Sequence, residues 1–174
     1  MYLTTFDLTG EKREMNETSS QESISIRKRV QLTEFGLLIA ILITLLLKLR
    51  LIFLLNIDVD EFTFLSMVHR YFRDVPLSQF YTFHVHFFSW LPLIPENEMT
   101  QIFAARVVMY VLGLGSCIFL YLIGRLFFNR SGALFSVLCY LSVSNVIVHG
   151  ASFRLDPMCV FLFLHGRPSL VGRI

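Results

Sequence analysis

Several chemistries are absent from this sequence before any is present. It has one tryptophan, five prolines and three cysteines in 174 residues. Cys117, Cys139 and Cys159 lie far apart in apolar stretches without metal-ligand spacing, so they read as small hydrophobic residues. No glycine-rich phosphate loop, nucleophile elbow or His/Cys zinc pattern occurs. A formal net charge of +2 and the lack of a basic patch interleaved with aromatics set nucleic-acid binding aside.

Apolar residues are abundant instead. They make up 55% of the chain, with a mean hydropathy of +0.63. They collect in blocks of spanning length, whereas a soluble core would distribute them at helix or strand period. The pattern predicts an all-α, polytopic membrane protein with three complete transmembrane helices, an interfacial amphipathic helix and a shortened fourth span. The first span is Phe35–Leu55, whose 21 residues reach about 32 Å as a helix, against a bilayer core of about 30 Å. Lys48 and Arg50 fall in its last third, where they can snorkel to the interface or face the interior of a bundle. The second span runs from Ile102 to Phe127, with Gly113, Gly115 and Ser116 permitting close packing. The third is Ala133–Val148.

A fourth apolar run, Met158–Leu164, covers about 10 Å as a helix before Gly166 and Pro168 interrupt it. Such a run reads as the start of a truncated span or as an end tucked into the interface. The chain thus divides into a polar, disordered cytoplasmic tail over 1–32, a transmembrane domain over 33–164 and a non-helical tail over 165–174. Arg27-Lys28-Arg29 suits anionic headgroups just before the first span. The positive-inside rule places the N-terminus and the turn at 128–132 in the cytoplasm, and the acidic first loop with Arg154 and Asp156 outside, across the plasma membrane. Asn16-Glu17-Thr18 and Asn129-Arg130-Ser131 are then on the wrong side for glycosylation.

The sharpest chemical signal is Asp58-Val59-Asp60-Glu61 at the outer end of the first span. Clustered carboxylates suit a general base or a divalent-cation site, with Asp58 and Asp60 as candidate ligands. They equally suit the N-terminus of the helix that follows. That helix, Glu61 to Arg73, gathers Phe64, Leu65, Val68, Tyr71 and Phe72 on one face and is expected at the outer leaflet. Phe80 to Trp90 is an aromatic interfacial stretch in which His84 and His86 stand two apart, either as metal ligands or as ordinary interfacial residues. Arg106 and Arg154, at outer helix ends, can fork onto a phosphate or snorkel. Asp156 before Pro157 can be a second outer acid or a helix cap.

In order, these features are Arg50, the Asp60-Glu61 pair, the aromatic stretch, Ala104-Ala105-Arg106, Gly124-Arg125-Leu126-Phe127 and Arg154-Leu155-Asp156. This order resembles the N-terminal third of the GT-C membrane glycosyltransferases, in the protein mannosyltransferase and aminoarabinose transferase group. The resemblance covers roughly Phe35 to Leu164. It implies sugar transfer from a polyprenyl-phosphate donor to an extracytoplasmic acceptor. It further implies Asp60 as the catalytic carboxylate with Glu61 beside it, Asp156 as the second acid, and Arg106 and Arg154 as phosphate contacts. One departure is that His84-Val85-His86-Phe87 stands where many relatives carry a His-Lys-Pro-Pro-like stretch. The resemblance also implies more helices than these 174 residues hold, so the chain alone is expected to show no turnover. The competing reading is a non-catalytic transporter or assembly subunit with a structural acidic loop. Acids at the interface and unbroken spans weigh against it.

Overall fold

The computed structural model describes residues 8–73, 83–95, 97–150 and 152–166, with side chains described from residue 25 onward. Every regular element among these residues is helical: α1 Leu8–Leu54, α2 Val59–Phe72, α3 Phe83–Phe87, a 3₁₀ turn Leu91–Leu93, α4 Glu98–Phe127, α5 Arg130–Ser142, α6 Ser144–His149 and α7 Asp156–His165. The expectation of a disordered tail over 1–32 meets a different structure, because α1 already begins at Leu8.

Two helices are long and apolar enough to cross a membrane, Ser25–Leu54 within α1 and Glu98–Phe127. Their surfaces argue for lipid as the surrounding solvent. On α1, Leu38, Ile39, Leu42, Ile43, Leu46 and Leu47 are all exposed. On α4, Val107, Val111, Ile118 and Leu122 form an exposed stripe at helical spacing. Apolar faces of this size are unfavourable in water and neutral in hydrocarbon.

The third expected span takes another form. It breaks at Val143, whose extended backbone (φ −65°, ψ 125°) separates the 13-residue α5 from the six-residue α6. Ser142, Ser144 and Asn145 surround the break, and such residues offer the backbone competing hydrogen bonds. The expectation of unbroken spans is therefore corrected. Broken backbone at membrane depth is tolerated where it lines a protein cavity, and Asn145 and Val146 do line one. The fourth run forms the ten-residue helix α7.

Packing sets the directions of the helices. Asn129 caps α5 through the Gly132 N–H, and the two-residue turn at Phe128-Asn129 folds α5 back along α4. Gly124 makes the close approach, since a β-carbon there would stand 3.3 Å from Ala133 Cα. At Gly115 a β-carbon would come within 2.5 Å of the Phe161 ring, so this glycine seats α7 on α4. Glu34 of α1 meets Arg130 and Ser131 at the start of α5. Hence α1 and α5 run together, while α4 and α7 run against them. The ends carrying residues 56–61, Arg106 and 152–156 gather at one end of the bundle. Glu34 and Arg130 mark the other.

The apolar face of α2 is covered by protein. Leu65 and Val68 are buried against Val85, Phe88, Ile102, Met109 and Phe153. Phe72, expected on that face, is about half exposed. Burying this cluster, at about 25 cal/mol per Å² of apolar surface, fixes α2 across the end of the bundle.

Candidate functional site

The acidic motif divides into residues with opposite surroundings. Asp58 caps α2 with an extended backbone, accepts from the Val59 N–H at 2.7 Å, and forms a capping box with Glu61. Glu61 Oε2 accepts from the Asp58 N–H at 3.2 Å. These bonds commit Asp58 to the helix terminus.

Glu61 is fully buried against Arg106, itself fully buried. The guanidinium is saturated. Nε donates to Glu61 Oε1 at 2.9 Å, and Nη2 donates to Glu61 Oε2 at 2.6 Å and to Asn56 O at 3.1 Å. Nη1 donates to Ile52 O at 2.7 Å and Leu55 O at 3.0 Å. All five N–H groups of an arginine are thereby used. Three of the acceptors are carbonyls at the α1 C-terminus, which a cation satisfies both as a cap and against the helix dipole. Glu61 Oε1 also accepts from the Phe153 N–H. One ion pair therefore ties together α1, α2, α4 and the segment leading to α7. Glu61, expected in catalysis, and Arg106, expected on a phosphate, are fully buried against each other, and every N–H of the guanidinium is engaged within the bundle.

Asp60 points the other way. Its carboxylate is about half exposed and lies 3.0 Å from Arg154 Nη1. Arg154 Nε lies 3.4 Å from Asp156 Oδ2, which is 61% exposed. Two carboxylates separated by 96 positions in sequence thus share one guanidinium at the same end of the bundle. Asp156 does not cap α7: the capping position is Leu155, with no side-chain cap bond. Among the described residues Arg154 Nη2 has no partner, so unlike Arg106 it retains donors for a ligand.

A divalent cation fits this arrangement poorly. Among the described residues no three His, Cys, Asp or Glu side chains group as ligands. Asp58 is committed to its cap, and Arg154 already supplies the positive charge between Asp60 and Asp156. His84 and His86 diverge as well. His86 sits against Tyr71 with ring centroids 4.6 Å apart. His84 is fully buried between Phe64, Phe88 and Phe153. Neither of its ring nitrogens has a hydrogen-bond partner among the described residues. Burial pushes its pKa down to about 4, so the ring is neutral at pH 7.

Two features were not resolved by sequence reasoning. The Glu61–Arg106 pairing has a faint signal, a single arginine in the first third of a spanning helix opposite one acid more than a cap requires. Lys48 carries another: it occupies the seam Ile41, Leu45, Lys48, Ile52, spaced i, i+4, i+7, i+11, along which α1 meets the bundle. It is 5% exposed and faces the interior, so of the two readings of this residue the structure selects the second.

Against this geometry, the family model for dolichyl-phosphate-mannose-protein mannosyltransferase matches residues 93–165. The matched stretch contains α4 to α7 with Arg106, Arg154 and Asp156, and begins beyond Asp60 and Glu61. No curated protein and no solved structure matches the chain. The match supports a glycosyltransferase of the GT-C type, and with the two apolar helices it supports an integral membrane protein.

Proposed function

We propose that this chain is part of a membrane glycosyltransferase that moves a sugar from a polyprenyl-phosphate carrier to an acceptor at the extracytoplasmic face. The observation that carries the reading is the Asp60–Arg154–Asp156 cluster, exposed at the end of the bundle where the loops gather. Its chemistry suits the reaction. Asp60, as carboxylate, accepts the acceptor hydroxyl's proton as that oxygen attacks the sugar's anomeric carbon. The bond from that carbon to the carrier phosphate breaks, and the phosphate leaves as an anion. Arg154 can follow that charge with its free N–H groups. Asp156 orients the guanidinium. The Glu61–Arg106 pair holds Asp60 in place by fixing the first turn of α2.

The positive end of α5 and the basic cluster before the first span support an N-terminus in the cytoplasm, which puts the cluster outside. The transporter alternative gains from the break at Val143 and from Lys48, which lines the same cavity as Asn145 and Val146, yet the paired acids lie at the bundle's end and the family match favours sugar transfer.

The test uses Asp60→Asn and Arg154→Gln in the gene product that carries these residues, inserted in membranes and supplied with a polyprenyl-phosphate-linked sugar. Asp60→Asn should lower transfer at least a hundredfold with donor binding retained. Arg154→Gln should weaken donor binding about tenfold or more. Wild-type transfer by Asp60→Asn would refute the assignment.

A further inference from the structure

His84 sits where a histidine gains nothing from its ring nitrogens. Phe64 and Phe88 wall the ring, each with centroids 5.0 Å away, and Phe153 stacks on it at 4.8 Å with 27° between planes. The residue has no exposed surface, and neither Nδ1 nor Nε2 has a hydrogen-bond partner among the described residues. A phenyl ring would fill such a box without leaving a donor and an acceptor unsatisfied, so the histidine is the more costly choice. The charged and titratable groups on the neighbouring elements turn elsewhere. Glu61 and Arg106 engage each other, His69 pairs with Gln101, and His86 lies against Tyr71. Arg154 engages Asp60 and Asp156, while Arg70, Arg73 and Glu98 are exposed.

The box closes on the segment that carries the exposed cluster. Phe153 is fixed twice, its ring by His84 and Phe88 and its N–H by Glu61 Oε1. The Arg154 N–H donates to Ser152 O at 2.9 Å, which draws residues 152–154 into a tight turn. The next side chain along is the guanidinium that spans Asp60 and Asp156. With Phe153 as the link, the seating of one imidazole bears on where that guanidinium stands.

We infer that His84 is a positioning residue for Arg154: as a neutral ring it holds residues 152–155 against α2, and on taking a proton it leaves the aromatic box and releases them. The use of Arg154 in sugar transfer rests on the function proposed above; the movement rests on the geometry of the box. Its direction with pH follows from burial, which lowers the His84 pKa to about 4 from 6.5, so the closed segment refuses a proton that the open one accepts. Opening is therefore indifferent to pH above about 6.5 and becomes more favourable as the pH falls toward 4. Between about pH 7.5 and 5 the opening equilibrium should rise roughly tenfold or more.

The test is hydrogen–deuterium exchange of the full chain in detergent at about pH 7.5 and 5, read by mass spectrometry and corrected for the intrinsic pH dependence of exchange. Peptides covering residues 152–155 should lose protection roughly tenfold or more at the lower pH in the wild type, while peptides from the middle of α4 keep theirs. That comparison needs no variant to fold. His84→Phe restores the aromatic wall without a proton site, so its protection at 152–155 should stay high and change by less than about twofold. His84→Ala removes the wall and should lower that protection at both pH values. Constant protection in the wild type, or an equal loss in α4, would overturn the inference. So would the same fall in His84→Phe, which would assign it to the carboxylates of Asp60, Glu61 and Asp156. In the gene product used for the transfer assay, His84→Ala should also lower sugar transfer about tenfold. Lost protection with wild-type transfer in that variant would keep His84 as the holder of the segment and count against Arg154 in the reaction, so the two readings fail separately.

Discussion

Asp60 and Glu61 are neighbours in sequence, carry the same charge and both meet an arginine, yet one is sealed and the other open. Glu61 has no exposed surface and faces a guanidinium with all five donors engaged. Asp60 is half exposed and faces a guanidinium with donors to spare. Consecutive residues on a helix point about 100° apart, so an Asp-Glu pair at a helix start divides naturally between core and solvent. On the function proposed above, the buried pair makes the exposed one usable. A general base must be held to a fraction of an ångström by groups that do not themselves take part.

The largest effect that would break this contrast comes from the sealed pair. Arg106→Met or Glu61→Leu leaves the partner buried and unpaired, at a cost of about 3–5 kcal/mol. We expect loss of a cooperative melt in detergent or strongly reduced levels in the membrane. A melting temperature near wild type would show that the pair is not a scaffold.

His84 supplies the next largest effect, and it depends on pH. Its pKa is about 4 when folded against 6.5 ordinarily. Below pH 6.5 the unfolded chain takes up a proton that the folded ring refuses. Stability is therefore complete above about 6.5 and falls as pH drops toward 4, by up to roughly 3 kcal/mol. Melting curves at pH 7.5 and 5 should separate in the wild type and draw together in His84→Phe.

Two neighbouring glycines sharpen the packing side. Gly115→Ala drives a β-carbon into Phe161 and should cost about 1–3 kcal/mol, whereas Gly113→Ala meets open space and should be near neutral. Thermal melts of the two variants check this. The smallest change is expected at the cap: Asp58→Ala should cost about 1 kcal/mol through loss of the capping box, read by denaturant titration.

Much of this architecture is written in hydropathy. Both long spans, the amphipathic α2 and its capping acids follow from period and from residue type. Gly124, Gly115 and the Asn129 cap likewise sit where helix packing and turning demand them. The third span is hard to read because hydropathy is alike whether the backbone is continuous or broken, and the only local sign of the break is the polar set Ser142, Ser144 and Asn145 around Val143. The acidic motif is legible as a cluster of carboxylates at a helix start, and its division into buried and exposed residues is not. Which of Asp58, Asp60 and Glu61 is buried depends on Arg106 and Phe153, 45 and 92 residues beyond Glu61. Lys48 was legible as awkward, but its side of the helix depended on where α5 and α7 pack.

The most direct measurement compares Arg154→Gln with wild type for both melting temperature and affinity for a polyprenyl-phosphate-linked sugar. If the exposed cluster is chemical and the buried pair structural, the melting temperature stays within a few degrees, because an exposed ion pair contributes at most about 1 kcal/mol, and the affinity falls about tenfold or more. Unchanged affinity, or a collapse in stability like that expected of Arg106→Met, would contradict the account.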